Sequence, residues 1–184
     1  MQESVVNLAR NLLGKRLVTD INGETTTGII SETEAYAGIT DRASHAWNGR
    51  RTKRTETMYS EGGHAYVYLC YGIHRLFNVV TNREGIPHAI LIRGIIPEAG
   101  IEIISARRKR VVGSKTGIGP GNVTQCLGIE LTHNATDLCH SPEIWIEDTG
   151  LAIPDADMET TPRIGIAYAK EDALLPYRFV WNPA

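Results

Sequence analysis

The chain has 184 residues, 42% of them hydrophobic, which is long enough for one sizeable core and short for two independent domains. Its net charge of −2 is uneven, because residues 1–124 carry 16 Lys and Arg against 11 Asp and Glu, whereas residues 125–184 carry 3 against 10. Local charge steers a phosphate backbone, so the low overall charge does not exclude a nucleic-acid partner.

The first elements are an amphipathic helix and a β-hairpin. Residues 1–18 place their apolar side chains near one helical stripe and lack the apolar region of a signal peptide. Asn22-Gly23 lies between two β-type runs and is a strong hairpin signal, so we predict a hairpin over residues 15–36. Residues 38–63 lose all periodicity and predict a long connection, which is more often functional than decorative.

A second hairpin and a mixed remainder follow. HAYVYLCY and RLFNVVTN predict two strands with Tyr71 at the tip beside Gly72, and HAILIRGI predicts another strand. Pro97 is placed to begin a helix, and GIGPGNVTQCLGI predicts a glycine-rich loop before a short helix, a candidate phosphate-binding helix N-terminus. EIWIED, RIGIAYA and YRFVW predict short strands.

These elements predict an α+β fold. We expect residues 1–184 to form one compact domain with a curved, largely antiparallel β-sheet, a protruding β-hairpin and a few peripheral helices. Cys70, Cys126 and Cys139 are widely spaced without a CxxC motif, which argues against a disulfide framework or structural zinc and fits a reducing cytoplasm. No stretch approaches a membrane-spanning length, so we expect no membrane partner.

An acidic strand is the first candidate for a site. Alternation along residues 28–36 points Glu32, Glu34 and Tyr36 to one face and Thr33 and Ala35 to the other. Two glutamates and a ring on one face indicate a polar cleft. The alternative is the solvated face of an edge strand, and alternation does not separate Glu32 from Glu34.

The tyrosines of the second hairpin are the next candidates. Tyr66 and Tyr68 share one strand face, and Tyr71 follows at the turn. They could form a stacking platform with a tip residue that wedges between base pairs, although a half-buried strand also favours tyrosine.

Three polar residues have both a structural and a functional interpretation. His45, in the irregular segment, is either a surface residue or a ring that stacks and donates a hydrogen bond. Asn78 and Arg93 interrupt apolar strands, where they either pair structurally or form the floor of a site, with Asn limiting which rings fit and Arg holding a water or carboxylate.

The cationic charge is concentrated in two runs. Arg50, Arg51, Lys53 and Arg54 form the first, and residues 107–110 form the second. Each run is either an ordinary solvated surface or a phosphate-binding edge.

The sequence lacks the motifs of several common kinds of enzyme and ligand-binding site. The sequence contains no P-loop, no HExxH, no GxSxG, and no combination of HxE with PCxxC, which argues against P-loop phosphate binding, a zincin, a serine hydrolase and a zinc deaminase. We expect no cofactor and no metal.

Taken together, the ordered motifs resemble a known family. ETEAY, a loop histidine, GRRT, Met58-Tyr59, AYVYLCYG, RLFNVV, LIRG, GPG, PRIGIAYA and YRF follow one another as in the alkyladenine (3-methyladenine) DNA glycosylases of mammals and bacteria. The similarity runs from LARNLLGK almost to the end of the chain. One departure is Asn122, where the family commonly has a lysine.

The resemblance implies roles for individual residues. It places the general base on Glu34, the arginine near the catalytic water on Arg93, and base-stacking rings on Tyr36, His45 and Tyr68. It places the asparagine at the edge of the flipped base on Asn78 and the intercalating tyrosine on Tyr71. We expect further DNA contacts from Arg50, Arg51, Lys53, Arg54, Met58 and Tyr66.

The implied activity is that of a monofunctional DNA glycosylase in base excision repair. It would act as a monomer on double-stranded DNA containing damaged purines (3-methyladenine, 7-methylguanine, hypoxanthine or ethenoadenine), in the cytoplasm or on a bacterial nucleoid. Glu34 would activate a water that hydrolyses the N-glycosidic bond, and no lysine stands out as a Schiff-base nucleophile. The alternatives are a non-catalytic module that binds distorted DNA and a small-molecule nucleosidase.

Overall fold

The computed structural model of the protein describes residues 4–183 and contains one curled, antiparallel sheet. The strands lie in the order β3-β4-β5-β2-β1-β6, while β8 pairs with β2 and β7 pairs with β8. The strands are β1 Arg16–Ile21, β2 Glu24–Tyr36, β3 Ala65–Cys70, β4 His74–Thr81, β5 His88–Ala99, β6 Ile144–Glu147, β7 Met158–Thr161 and β8 Arg178–Trp181. The predicted fold class is confirmed.

The helices are short and lie beside the sheet. The α-helices are α1 Val5–Asn11, α2 Ile101–Arg108 and α3 Pro120–Leu127, and the 3-10 segments are Gly38–Thr40, Trp47–Gly49, Glu56–Tyr59, Leu131–His133, Asp155–Asp157 and Ala167–Leu174. The predicted first helix is confirmed over α1, where Ser4 Oγ accepts a hydrogen bond from the Asn7 amide and caps the first turn. None of the helices in residues 4–183 combines the length and apolar character needed to cross a membrane.

Strand β2 separates the core from the site. Ala35 belongs to the main hydrophobic core, and Thr33 Oγ1 donates to the Ala9 carbonyl in α1. Glu32, Glu34 and Tyr36 face the other side, as the alternation predicts. The pairing register of β2 shifts on both sides of Glu32, and such irregularities commonly re-aim side chains next to active sites.

Two sequence predictions are wrong. Pro97 does not begin a helix, because β5 continues through it and pairs it with Gly28 next to a register shift, where a residue without an N–H is tolerated. Helix α2 begins only after Gly100, whose φ of 70° and close approach to the Thr25 carbonyl suit glycine. RIGIAYA forms no strand, because the chain turns at Gly165 with a φ of 76° and then enters the 3-10 segment Ala167–Leu174.

Candidate active site

Two buried carboxylates on β2 meet one guanidinium from β5. Arg93 Nε lies 2.9 Å from Glu32 Oε1 and 3.4 Å from Glu34 Oε1. Glu32 Oε1 also accepts from Arg178 Nε of β8 at 2.6 Å. The side chain of Glu34 is 0% exposed and that of Glu32 is 8% exposed. The alternative of a solvated edge strand is therefore wrong.

Glu34 is held by two further donors. Its Oε2 accepts from the Tyr36 hydroxyl at 2.7 Å, and its Oε1 accepts from the Ile164 amide at 2.8 Å. Burial raises the pKa of Glu34, while Arg93, the Ile164 N–H and the Tyr36 hydroxyl oppose that rise and the charge of Glu32 adds to it. A carboxylate in this position is more basic than an exposed one and is suited to take up a proton.

A large open cavity lies in front of Glu34. Its volume is about 620 Å³, and its wall includes Tyr36, Arg93 and Ile164, which all contact Glu34. The wall also includes Tyr68 from the second hairpin and His45 from the irregular segment. Glu34 therefore lies directly behind the cavity wall. A group in the cavity can reach its carboxylate only between Tyr36, Arg93 and Ile164.

Three rings form a cluster on one side of the cavity. The His45 ring packs edge-on against Tyr68 with centroids 4.7 Å apart, and Tyr66 and Tyr68 lie 5.3 Å apart. The His45 Nδ1 is 2.9 Å from the Tyr66 hydroxyl. Burial, together with the nearby Arg54 and Arg50, lowers the pKa of His45 to about 4. The histidine is therefore neutral at pH 7, and the interpretation of His45 as an incidental surface residue is wrong.

A smaller cavity of about 50 Å³ opens beside this cluster. Asn78, Met58 and Tyr66 line it, and all three side chains are buried. Asn78 Nδ2 donates to the Tyr66 carbonyl at 3.0 Å, so its amide has a structural partner and also borders the small cavity. Met58 and Tyr66 lie inside the molecule, so they are accessible only to a group that enters the cavity.

Tyr71 stands alone at the tip of the second hairpin. Its side chain is 89% exposed, and its backbone has a φ of 50°, followed by Gly72 with a φ of 70°. Left-handed backbone is unfavourable for a residue with a large side chain. Tyr71 also lines the large cavity.

The basic segment divides into three kinds of position. Arg50 and Lys53 are exposed, and neither has a carboxylate within ion-pair distance among residues 4–183. Arg51 pairs with Glu56 at 2.6 Å. The Arg54 guanidinium lies 5.0 Å from the centre of the Tyr68 ring and lines the large cavity. Arg54 is thus part of the cavity wall, whereas Arg50 and Lys53 point to solvent.

A glycine-rich segment forms another part of the wall of the large cavity. Gly119, Pro120, Gly121 and Asn122 line it at the start of α3. Asn122 Nδ2 donates to the Ile118 carbonyl at 2.5 Å and so fixes the loop before the helix.

Four site residues were missed by sequence reasoning. Ile164 and Arg163 lie in the segment misassigned as a strand, Arg178 lies in β8, and Tyr168 lines both cavities. They are far from β2 in sequence, and no spacing pattern connects them to it. Across residues 4–183, no group of three His, Cys, Asp or Glu side chains is arranged to hold a metal ion.

The sequence is similar to known proteins over nearly its whole length. The family model described as Methylpurine-DNA glycosylase (MPG) matches residues 1–183. A protein of Chlamydia felis is 48% identical over 99% of this chain and 93% of its own length. Relatives from Chlamydia pneumoniae and Clostridium perfringens are 45% and 40% identical, over 100% and 95% of this chain and 92% and 89% of their own lengths. All three bear the name "Putative 3-methyladenine DNA glycosylase".

Proposed function

The chain belongs to the methylpurine-DNA glycosylase family and is a DNA glycosylase, and from this premise we propose that it excises alkylated or deaminated purines from duplex DNA. The substrates are 3-methyladenine, 7-methylguanine, hypoxanthine and ethenoadenine. The observation that carries the proposal is the position of Glu34, a buried carboxylate behind the wall of an aromatic-lined cavity. The enzyme works as a monomer on the DNA of the cell, in the cytoplasm or on a bacterial nucleoid.

Glu34 is the general base in this proposal. Cleavage of the N-glycosidic bond builds positive charge on the sugar, which a nearby carboxylate stabilises. Glu34 takes a proton from a water that reaches it between Tyr36 and Arg93, while Arg93 orients the water and limits the rise in the pKa of Glu34. The oxygen of the water bonds to the anomeric carbon as the bond to the base nitrogen breaks, and the base leaves with the bonding electron pair.

The aromatic residues receive the flipped base. Tyr36, His45 and Tyr68 all line the large cavity and are the proposed stacking residues. Because the His45 and Tyr68 rings already touch edge-on with centroids 4.7 Å apart, the base lies against this pair on one face and against Tyr36 on the other. A cationic alkylated purine is attracted to electron-rich rings, and the neutral state of His45 avoids repulsion with it. Asn78 borders the small cavity with Met58 and Tyr66, where it limits the substituents that fit.

The exposed residues hold the duplex. Tyr71 fills the gap that the extruded nucleotide leaves, and this extrusion costs least at damaged or mispaired bases. Arg50 and Lys53 bind phosphates, and Arg51 joins them when its ion pair with Glu56 opens. Arg54 contributes from the cavity wall. Among residues 4–183, no lysine lines the large cavity or contacts Glu34, and the proposed product is accordingly an abasic site in an unbroken strand.

Substituting each carboxylate in turn tests the assignment. We expect Glu34→Gln to lower the single-turnover release of hypoxanthine from duplex DNA by about 10²–10⁴-fold, the usual contribution of a general base. Binding of the lesion duplex should persist. Glu32→Gln is the matched control, because Glu32 shares the neighbour Arg93 with Glu34 but has as its other partner Arg178, which does not line the cavity, whereas Glu34 contacts the lining residues Tyr36 and Ile164. Wild-type rates for Glu34→Gln, with loss only for Glu32→Gln, would assign the base to Glu32.

The same assay separates the alternative functions. A DNA-binding module would bind the lesion duplex without releasing base from it in any variant. A nucleosidase would release base from free nucleosides at least as fast as from duplex DNA, and its activity would not need Arg50 or Lys53.

A further inference from the structure

We propose that Arg163, held by Asp41, is a positioning residue. It keeps the Ile164 N–H hydrogen-bonded to Glu34 and aligns the segment around Tyr36 so that the Tyr36 hydroxyl also reaches Glu34. This inference rests on the proposed function of Glu34. Neither residue lines the large cavity, so both act through their neighbours.

The two side chains form a buried, bidentate ion pair. Arg163 Nη1 donates to Asp41 Oδ2 at 2.5 Å and Nη2 donates to Oδ1 at 2.9 Å, and the side chains are 0% and 2% exposed. Bidentate pairing fixes orientation as well as distance. The ion pair therefore restrains the position of the Arg163 backbone through its side chain. The next amide along the chain, that of Ile164, donates its hydrogen bond to Glu34.

The pair also holds the chain on both sides of Tyr36. Arg163 Nη1 donates to the Ala35 carbonyl at 2.8 Å, and Asp41 Oδ2 accepts from the Ala37 amide at 3.0 Å. The guanidinium itself lies 4.8 Å from the centre of the Tyr36 ring. One ion pair thus fixes both groups that donate hydrogen bonds to Glu34, the Tyr36 hydroxyl and the Ile164 amide.

Stability alone is a poor explanation for this arrangement. Burying two charges is costly, and well-packed apolar residues often serve stability equally well. Arg163 Nε is buried without a hydrogen-bond partner within residues 4–183, which adds to that cost. The pair also contacts the Asp172 carbonyl, the Tyr177 ring and the Ala43 amide, but its contacts with the Ala35 carbonyl, the Ala37 amide and the Tyr36 ring are made directly beside Glu34.

Loosening the pair has a predictable electrostatic effect. The charged and titratable groups that face Glu34 include Glu32 and Tyr36 from β2, Arg93 from β5, Tyr168 from the segment Ala167–Leu174, and Arg163 itself. The Ile164 N–H lowers the pKa of Glu34 against the effect of burial. Losing that hydrogen bond raises the pKa of Glu34 further, so a larger fraction of Glu34 is protonated and inactive at each pH on the acid limb.

The test is the pH dependence of single-turnover hypoxanthine release. For Asp41→Asn we expect the acid limb to move upward by about one pH unit, so that the rate falls up to about tenfold below wild type on the acid limb and approaches the wild-type rate on the alkaline plateau. Glu98→Gln is the matched control, because Glu98 pairs with Arg16 at 2.5 Å outside the site, and its limb should not move.

Two outcomes overturn the proposal. An unchanged acid limb, with or without a uniform loss of rate, would make the pair merely structural. If Asp41→Asn does not fold, the double variant Asp41→Asn with Arg163→Gln removes both buried charges and must show the same upward shift. If the wild-type protein itself releases no hypoxanthine, the proposed function of Glu34 fails instead. The two failures are therefore distinguishable.

Discussion

The two β-hairpins of the molecule have the same turn but opposite surroundings. Asn22-Gly23 joins β1 to β2 with φ values of 58° and 77°, and Tyr71-Gly72 joins β3 to β4 with values of 50° and 70°. Asparagine adopts this left-handed backbone readily, whereas tyrosine does so at a cost of roughly 1–2 kcal/mol. The first hairpin thus follows local preference, and the second departs from it.

The departure coincides with exposed apolar surface. Tyr71, Ile73 and Leu69 are all exposed at the second hairpin, while the far end of the first hairpin carries the buried Glu34. Strain and exposed rings persist where another selective requirement maintains them. The first hairpin therefore places a carboxylate inside the protein, whereas the second holds a ring out in solvent, as the proposed role of Tyr71 in DNA requires.

Among substitutions that test the contrast between the two hairpins, removal of the Tyr71 ring should change activity the most. We expect Tyr71→Ala to lower hypoxanthine release from a fully paired duplex by about 10- to 100-fold, because an extruded nucleotide then leaves an unfilled gap costing a few kcal/mol. Single-turnover kinetics measure the effect. Tyr71→Phe should retain most activity, since the ring rather than the hydroxyl fills the gap.

A lesion in a locally unpaired bubble provides the control. There the loss for Tyr71→Ala should shrink, because less stacking is broken on extrusion. An equal loss on both substrates, or a large fall in melting temperature, would place Tyr71 in the folding of the hairpin and not in lesion capture.

Glu34, at the buried end of the first hairpin, should make the melting temperature of the protein depend on pH. The native pKa of Glu34 is raised above its usual 4.5, so the proton on native Glu34 stabilises the fold at low pH, and this contribution is lost as pH rises through the native pKa. We expect the melting temperature of Glu34→Gln, relative to wild type, to increase between pH 4 and pH 8 by a few degrees. A pH-independent difference would contradict a raised pKa.

Exchanging the tip residues should have the smallest effect. Tyr71→Asn should stabilise the protein by about 0.5–1 kcal/mol, because asparagine suits the left-handed backbone, and Asn22→Tyr should destabilise it by a similar amount. Denaturant midpoints at constant m-value measure both changes. Destabilisation by Tyr71→Asn would mean that the tyrosine ring contributes native packing, and the contrast between the hairpins would then disappear.

Local patterns predicted the hairpins well because their causes are local. Asn22-Gly23 and the alternation around it place β1 and β2, and the same alternation correctly groups Glu32, Glu34 and Tyr36 on one face. The assigned roles of these residues remain predictions, which the substitutions above test.

The remainder of the site depends on contacts that no local pattern encodes. The Ile164 amide reaches Glu34 across 130 residues, from a segment whose apolar alternation mimics a strand. Pro97 was misplaced for a related reason, because its preference for helix starts was overridden by pairing with Gly28. The burial of Glu34 was also unforeseen, since it needs walls from β2, β5 and residues 163–164 together.

The contact between Glu32 and Arg178 has a consequence for synthesis on the ribosome. The two residues are 146 positions apart, and β8 pairs directly with β2 at Glu32 and Glu34. Until β8 has left the exit tunnel, a nascent chain lacks one of the two cations that neutralise Glu32, and the end of β2 has an open edge. Completion of the proposed site is therefore a late, almost post-translational event, and a chain truncated before residue 178 would lack both β8 and the contact of Arg178 with Glu32.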